Sequence, residues 1–216
     1  TIARSHNIWG PYIDNPANPI ATHVNVAGMG KPIQGIGHAD IIQAHDKSWW
    51  MVIHGYRSVT GYPPHHILGR ETCLVPVSWP KGGWPVVNGN GTVAVEMTCP
   101  TLPLNPFEAK PSRTNFDDEE LGLEWNYIQP PTAGNFKLNS QKGILEITGS
   151  AGKIGEKGNP GFVGRRLTDI QFEATTCMEF NPKNENEEAG IILLNNGSHF
   201  DIMVYSKQGK RYVAFK

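Results

Sequence analysis

The sequence predicts an all-β chain in two parts, with propeller-type blades followed by a jelly-roll β-sandwich. Glycine (24) and proline (17) are abundant, and helix-type periodicity is scarce. Short apolar runs bounded by turn residues recur along the chain. Residues 98–114 contain four prolines and separate two sets of such runs. Because proline restricts φ and donates no ladder hydrogen bond, we predict a stiff linker there.

The first part, residues 1–97, reads as short strand pairs closed by turns, as in propeller blades. The predicted turns lie at His45–Ser48, Lys81–Gly83 and Asn88-Gly89. Alternation and bounding turns predict strands near Thr1–Ser5, at Ala39–Ala44 and Trp49–Tyr56, and at 70–79 and 84–88.

The second part, residues 115–216, predicts strands of five to ten residues at regular spacing, which favours a sandwich. Leu145, Ile147 and Phe172 fall on positions expected to face its core. The last predicted strand has no partner later in the sequence, and an unpaired strand would leave an exposed sheet edge. We therefore expect an incomplete sandwich and a chain that is a piece of a longer protein.

The composition argues against several classes of function. A net charge of −1 without a basic patch gives no indication of nucleic-acid binding. The sequence contains no run of eighteen apolar residues, so we expect no membrane span. Three cysteines exclude a complete disulfide framework, and none has a zinc-type spacing. We expect Cys73, Cys99 and Cys177 to be buried free thiols. Self-association and cellular location stay open.

Polar residues stand out in the tract "GIGHADIIQAHDKSWWMVIHGYR", residues 35–57. His38 and Asp40 are two residues apart, so a regular strand would place them on one face. Arg57 ends the next strand, and its donor fork suits paired hydroxyls or a carboxylate. The alternative is a buried His38–Asp40 hydrogen bond together with a solvated Arg57. Arg70 and Glu71 are a second candidate pair of functional residues. Adjacent residues of a strand point to opposite faces, so these two should not pair with each other. The alternative is a structural ion pair with residues elsewhere.

Four tracts carry a resemblance to a known family: "ARSHNIWGPYIDNPANPI", "GIGHADIIQAHDKSWWMVIHGYR", "LGRETCLVPVSWPKGGWPVVNGNG" and "NFDDEELGLEWNYIQPP". Because these four tracts occur in this order, the chain resembles glycoside hydrolase family 43 over essentially its whole length. It is most similar to β-xylosidases and α-L-arabinofuranosidases with a C-terminal β-sandwich. The resemblance implies the last blades of a five-bladed propeller, a concanavalin-like sandwich, and exo-acting, inverting hydrolysis of xylo- or arabino-oligosaccharides.

The resemblance also implies roles for individual residues. The family's catalytic acid and its two aspartates are expected upstream of the first tract, so Asp40 and Glu71 are not nominated as catalysts. His38 would hold a water or a calcium ion at the propeller axis, and no other cofactor is expected. Arg57 would reach substrate hydroxyls, and Phe162 is a candidate for a sandwich loop that narrows the pocket.

Two functions therefore remain open from the sequence. The first is a glycosidase of which this chain is an internal part, inactive when isolated from the acid and base. The second is a non-catalytic carbohydrate-binding or structural module.

Overall fold

The computed structural model describes residues 1–24, 29–59, 65–156, 158–195 and 198–216. The chain divides into unit 1, Thr1–Phe107, and unit 2, Glu108–Lys216. This division falls inside the proline-rich stretch 98–114. The described residues form strands, turns and irregular segments without a helix, which confirms the all-β prediction. Within them, no helix is long and apolar enough to cross a membrane.

Unit 1 is built around one antiparallel sheet of four strands in sequence order, β3-β4-β5-β6. Four antiparallel strands joined in order are the form of a propeller blade. A separate two-stranded ribbon, β1 with β2, precedes it. The strands are β1 (Ala3–Arg4), β2 (Ile13–Asp14), β3 (Ile33–Gln43), β4 (Trp49–Arg57), β5 (Glu71–Ser78) and β6 (Val86–Val87).

The core of unit 1 lies on one face of this sheet. Along β4 and β5, buried residues alternate with more exposed ones, as the period of a strand requires. The buried cluster is almost entirely β-branched or unbranched aliphatic, which suits a pleated surface. Its members are Ile33, Met51, Ile53, Val75, Val77, Val87 and Val93.

A buried histidine ties this core to the surrounding loops. His23 is only 5% exposed. Its Nδ1 lies 2.6 Å from the Ile33 carbonyl oxygen, and its Nε2 lies 2.8 Å from the Val93 amide nitrogen. Since the Val93 N–H must donate to Nε2, the proton of the neutral ring is on Nδ1, which donates to Ile33. One side chain therefore satisfies two buried backbone groups from distant parts of the chain.

Unit 2 contains three small antiparallel sheets, ordered β10-β7, β8-β9 and β11-β12-β13. The hairpin between β12 and β13 turns at Gln208 and Gly209, which both have positive φ. The strands are β7 (Trp125–Asn126), β8 (Phe136–Asn139), β9 (Ile144–Ile147), β10 (Gly164–Arg165), β11 (Glu188–Asn195), β12 (Ser198–Lys207) and β13 (Lys210–Phe215).

Part of the predicted core of unit 2 is not buried. Leu145 is half-buried, but Ile147 and Phe172 are 45% and 46% exposed. Ile147 ends a two-stranded ribbon, and Phe172 lies in residues 166–182, which form no strand in the structure. The prediction of strands of five to ten residues throughout 115–216 is therefore wrong for residues 161–180, where only Gly164–Arg165 forms a strand.

One side of the β11-β12-β13 sheet carries exposed large apolar residues, called here the apolar face. Phe200 and Ile202 alternate along β12, and the register places Leu193 beside Phe200 and Phe215 beside Ile202. Val213 lies on the same side, opposite Val204. Phe200 and Phe215 are 63% and 73% exposed, and their rings stack at 6.4 Å between centroids.

Candidate functional site

The β3–β4 hairpin carries both unit-1 residues that the resemblance nominates. Its ladder is irregular: the pair Gln34–Tyr56 is followed by Gly37–His54 and then by Asp40–Val52. Each step advances three residues on β3 but two on β4, so β3 contains two bulges. Bulges bend a strand and redirect its side chains. The hairpin therefore presents His38 differently from a regular strand.

His38 sits in the second bulge with a φ of 47°, a region that non-glycine residues rarely adopt. Its side chain and that of Asp40 are both exposed, so the alternative of a buried His38–Asp40 pair is wrong. The register shift between Gly37 and Asp40 interrupts the regular alternation on which the shared face was predicted. The His38 side chain is thus exposed and is not packed in the core of the sheet.

A second histidine, His54, lies beside His38 and was missed by the sequence analysis. It is on β4 opposite Gly37, and the two imidazole centroids are 6.4 Å apart. Its Nδ1 is shielded from solvent and has no hydrogen-bond partner among the described residues. The only sequence signal for it was a titratable residue inside the apolar run "WWMVIHGY". The pair places two imidazoles at one bulge.

Arg57, the last residue of β4, is held by Glu71, the first residue of β5. The guanidinium Nη2 donates to Glu71 Oε1 at 2.9 Å, and Nε lies 3.1 Å from both carboxylate oxygens. The backbone N–H of Arg57 also donates to Glu71 Oε2 at 3.3 Å. The two side chains are 31% and 30% exposed. One carboxylate therefore binds both the side chain and the main chain of the arginine.

The β4–β5 pairing ends before Arg57, which explains why the Glu71 side chain accepts the Arg57 backbone N–H. The last β4–β5 ladder pair is Gly55 with Glu71. Arg57 lies two residues beyond it, while on its other side it pairs with Ile33 of β3. Glu71 thus supplies from its side chain an acceptor that a longer β5 would have supplied from its backbone. This is the ion pair elsewhere that the sequence left open for Glu71.

The structure does not bring His38 and Arg57 into contact. Arg57 is in register with Ile33, and His54, beside His38, is three residues earlier on β4. At about 3.3 Å per residue, these positions are roughly 10 Å apart along the strand. They occupy separate positions on one hairpin.

Phe162 is a half-buried residue of unit 2, just before β10. Its backbone N–H donates to the Pro160 carbonyl at 2.7 Å. A Cβ at Gly164 would lie 2.7 Å from the Phe162 ring, so the chain folds tightly here. Its predicted role in narrowing the pocket stays a prediction.

The described residues do not assemble a metal site around His38. Among them, no group of three or more His, Cys, Asp or Glu side chains is placed to hold an ion. Ca²⁺ takes about six to eight oxygen ligands, so the His38 imidazole would reach such an ion only through one of its bound waters.

The cysteines are free, as expected, but not all are buried. Cys177 is exposed, and Cys73 and Cys99 are partly buried, so the expectation of buried thiols is wrong for Cys177, which lies outside any strand. Burial, and after it the negative charge of Glu71, raises the pKa of the Cys73 thiol. A thiol with a raised pKa is a poor nucleophile at neutral pH.

Two family models match the chain in succession. Residues 1–85 match glycosyl hydrolases family 43, and residues 113–216 match a beta xylosidase C-terminal concanavalin A-like domain. Both matches agree with the blade-like sheet of unit 1 and the separate all-β unit 2. Together they define a two-domain glycoside hydrolase architecture.

Curated relatives and solved structures agree with these matches. The chain is 39% identical over 211 residues to a non-reducing end alpha-L-arabinofuranosidase of Bacteroides ovatus, covering 97% of this chain and 39% of that protein. It is 33% identical to a beta-xylosidase of Bacillus subtilis, covering 89% of this chain and 37% of that protein. A Bacteroides ovatus structure described as xyloglucan PUL GH43B superimposes with a TM-score of 0.86 at 34% identity, covering 99% of this chain and 42% of that one.

The chain belongs to glycoside hydrolase family 43. It spans about two fifths of the length of the curated relatives it matches.

Proposed function

We propose that the protein containing this chain is an exo-acting, inverting glycosidase of xylose- or arabinose-containing oligosaccharides. The support is family membership together with relatives described as arabinofuranosidase, beta-xylosidase and xylosidase/arabinosidase. In this proposal the present chain supplies substrate-binding groups, and the acid and base come from another part of the protein. His38 is proposed to hold an ordered water or a water-shielded calcium ion at the propeller axis, and Phe162 to narrow the pocket.

The observation that carries the proposal is the placement of Arg57. Inverting hydrolysis uses one carboxylic acid to protonate the leaving oxygen and one carboxylate to activate water. Neither step needs an arginine, but both need the sugar to be held while its ring distorts. A guanidinium held at a strand end presents donors in a fixed plane, which suits neighbouring sugar hydroxyls.

Glu71 fits a holding role better than a catalytic one. Both of its oxygens accept hydrogen bonds from Arg57. A general acid must instead carry a proton and give it to the leaving oxygen. The geometry therefore supports leaving Glu71 out of the proton-transfer steps.

The test is Arg57→Ala in the complete protein, assayed on aryl xylosides and aryl arabinosides. Losing charge-assisted hydrogen bonds costs about 1.5–3 kcal/mol. At about 1.36 kcal/mol per decade, kcat/KM should fall roughly ten- to two-hundred-fold. Arg57→Lys should recover only part of this loss, because an ammonium lacks the planar fork.

The thermal midpoint, measured on the same preparation, separates this role from a purely structural one. If Arg57 only pairs with Glu71, the midpoint falls and kcat/KM per folded molecule stays constant. That result would remove Arg57 from the site. If the unaltered complete protein binds xylo-oligosaccharides by calorimetry without cleaving any substrate, the carbohydrate-binding module replaces the glycosidase.

A further inference from the structure

We infer that Glu71 is the positioning residue that sets the plane of the Arg57 guanidinium for sugar binding. The inference deepens the proposed function and rests on it, since it requires that Arg57 contact the substrate. Glu71 itself would touch no reacting atom.

The first support is the geometry of the contact. Nε and Nη2 of Arg57 lie on one edge of the guanidinium, and both reach the same carboxylate within 3.1 Å. A two-point contact fixes the orientation of the guanidinium plane as well as its distance. A single hydrogen bond or a nearby charge would leave the plane free to rotate.

The second support is the anchoring of the arginine at both ends. Glu71 Oε2 also accepts the Arg57 backbone N–H, so the carboxylate bridges the root and the tip of one side chain. An arginine carries up to about 2 kcal/mol of rotamer entropy. Restricting it before the sugar arrives lowers the part of that entropy lost on binding.

The third support is the position of Glu71 itself. It is the first residue of β5 and belongs to the last β4–β5 ladder pair. Its backbone is therefore held by the sheet, and only the side chain reaches past the sheet end. Val75, four residues along β5, is fully buried in the core, so the acceptor stands on a packed strand.

The experiment measures Glu71→Gln in the complete protein. The amide presents an NH2 group where the guanidinium needs an acceptor, so the two-point contact is lost while the size is kept. Misplacing a substrate-holding group by about 1 Å can cost up to about a hundredfold. We expect kcat/KM to fall by roughly ten- to a hundredfold, and the affinity for free D-xylose or L-arabinose, measured by calorimetry, to fall with it.

The matched control is Glu96→Gln, which makes the same chemical change at an exposed position of unit 1 and should leave kcat/KM unchanged. If Glu71→Gln does not fold, Glu71→Asp replaces it. The shorter carboxylate keeps the charge but withdraws from the guanidinium, so a smaller loss in the same direction is expected.

A double-mutant cycle identifies the route of the effect. If Glu71 acts through Arg57, Glu71→Gln should change kcat/KM less than about twofold in the Arg57→Ala background, because coupled residues are not additive. Equal losses in both backgrounds would overturn the inference, as would unchanged kcat/KM and sugar affinity in Glu71→Gln and Glu71→Asp while Arg57→Ala is impaired. Failure of the proposed function is distinguishable, because Arg57→Ala would then be fully active.

Discussion

His23 should contribute more to the stability of unit 1 than any charged contact described above. Its imidazole accepts from the Val93 N–H and donates to the Ile33 carbonyl, and both partner residues are buried. His23→Ala leaves two buried backbone groups unpaired, at about 1–3 kcal/mol each. The expected loss is therefore about 2–6 kcal/mol in the free energy of unfolding.

The measurement is urea denaturation of the complete protein, followed by the fluorescence of its tryptophans. The midpoint should fall, and the slope of the transition should stay constant because the exposed surface on unfolding is unchanged. His23→Gln should lose less, since its side-chain oxygen can reach the place of Nε2 and keep the Val93 bond. The control is His6→Ala, an exposed histidine of the same unit, which should leave the midpoint in place. An unchanged midpoint in His23→Ala would refute the hydrogen-bond argument.

Two further predictions concern unit 1. The Ser48 hydroxyl, and after it the Thr101 hydroxyl, lowers the pKa of Asp46 from 3.8 to about 2. The ionised Asp46 carboxylate therefore adds its full contribution to the free energy of unfolding above pH 3.8, and this contribution is lost as the pH falls towards 2. Asp46→Asn should flatten the acid limb of the stability curve over that window, and an identical limb in both proteins would contradict the assignment. Gly35 has a φ of 57°, and a Cβ there would overlap the Tyr56 ring, so Gly35→Ala should lower the urea midpoint clearly more than Gly69→Ala. Gly69 has a similar positive φ but open space around it, and equal losses would show that backbone strain alone matters.

The central strands were predictable because their pattern is local. Trp49–Tyr56 and 70–79 were placed within one residue of β4 and β5, since apolar residues alternate there between clear turn signals. β3 was predicted to start at Ala39 but starts at Ile33. Gly35 and Gly37 look like turn residues in sequence, whereas in the structure the chain stays paired through two bulges.

The first half of unit 2 was predicted less well because its strands β7 to β10 have only two to four residues each, and its described apolar residues do not converge on one core. Sequence periodicity shows which residues can share a face, but it does not show whether another element covers that face. Ile147 and Phe172 illustrate the difference: both follow a strand pattern, and both remain exposed.

The candidate site depends on register, which sequence does not give. Arg57 and Glu71 are fourteen residues apart, and only the β4–β5 pairing shows that they meet. His23 left even less signal, because its partners are backbone atoms that every residue possesses. A sequence shows that His23 is polar, but it does not show which distant backbone groups that side chain binds.

The apolar face of unit 2 has a consequence for biosynthesis and handling. Phe200, Ile202, Val213 and Phe215 reach water on a sheet whose outer strands, β11 and β13, also offer backbone hydrogen bonds to any passing strand. A newly made chain showing this surface is a target for chaperones and a nucleus for precipitation until something packs against it. Expression at low temperature should therefore limit precipitation. Fluorescence of an anilinonaphthalene dye, which binds exposed apolar surface, then reports when the apolar face becomes covered.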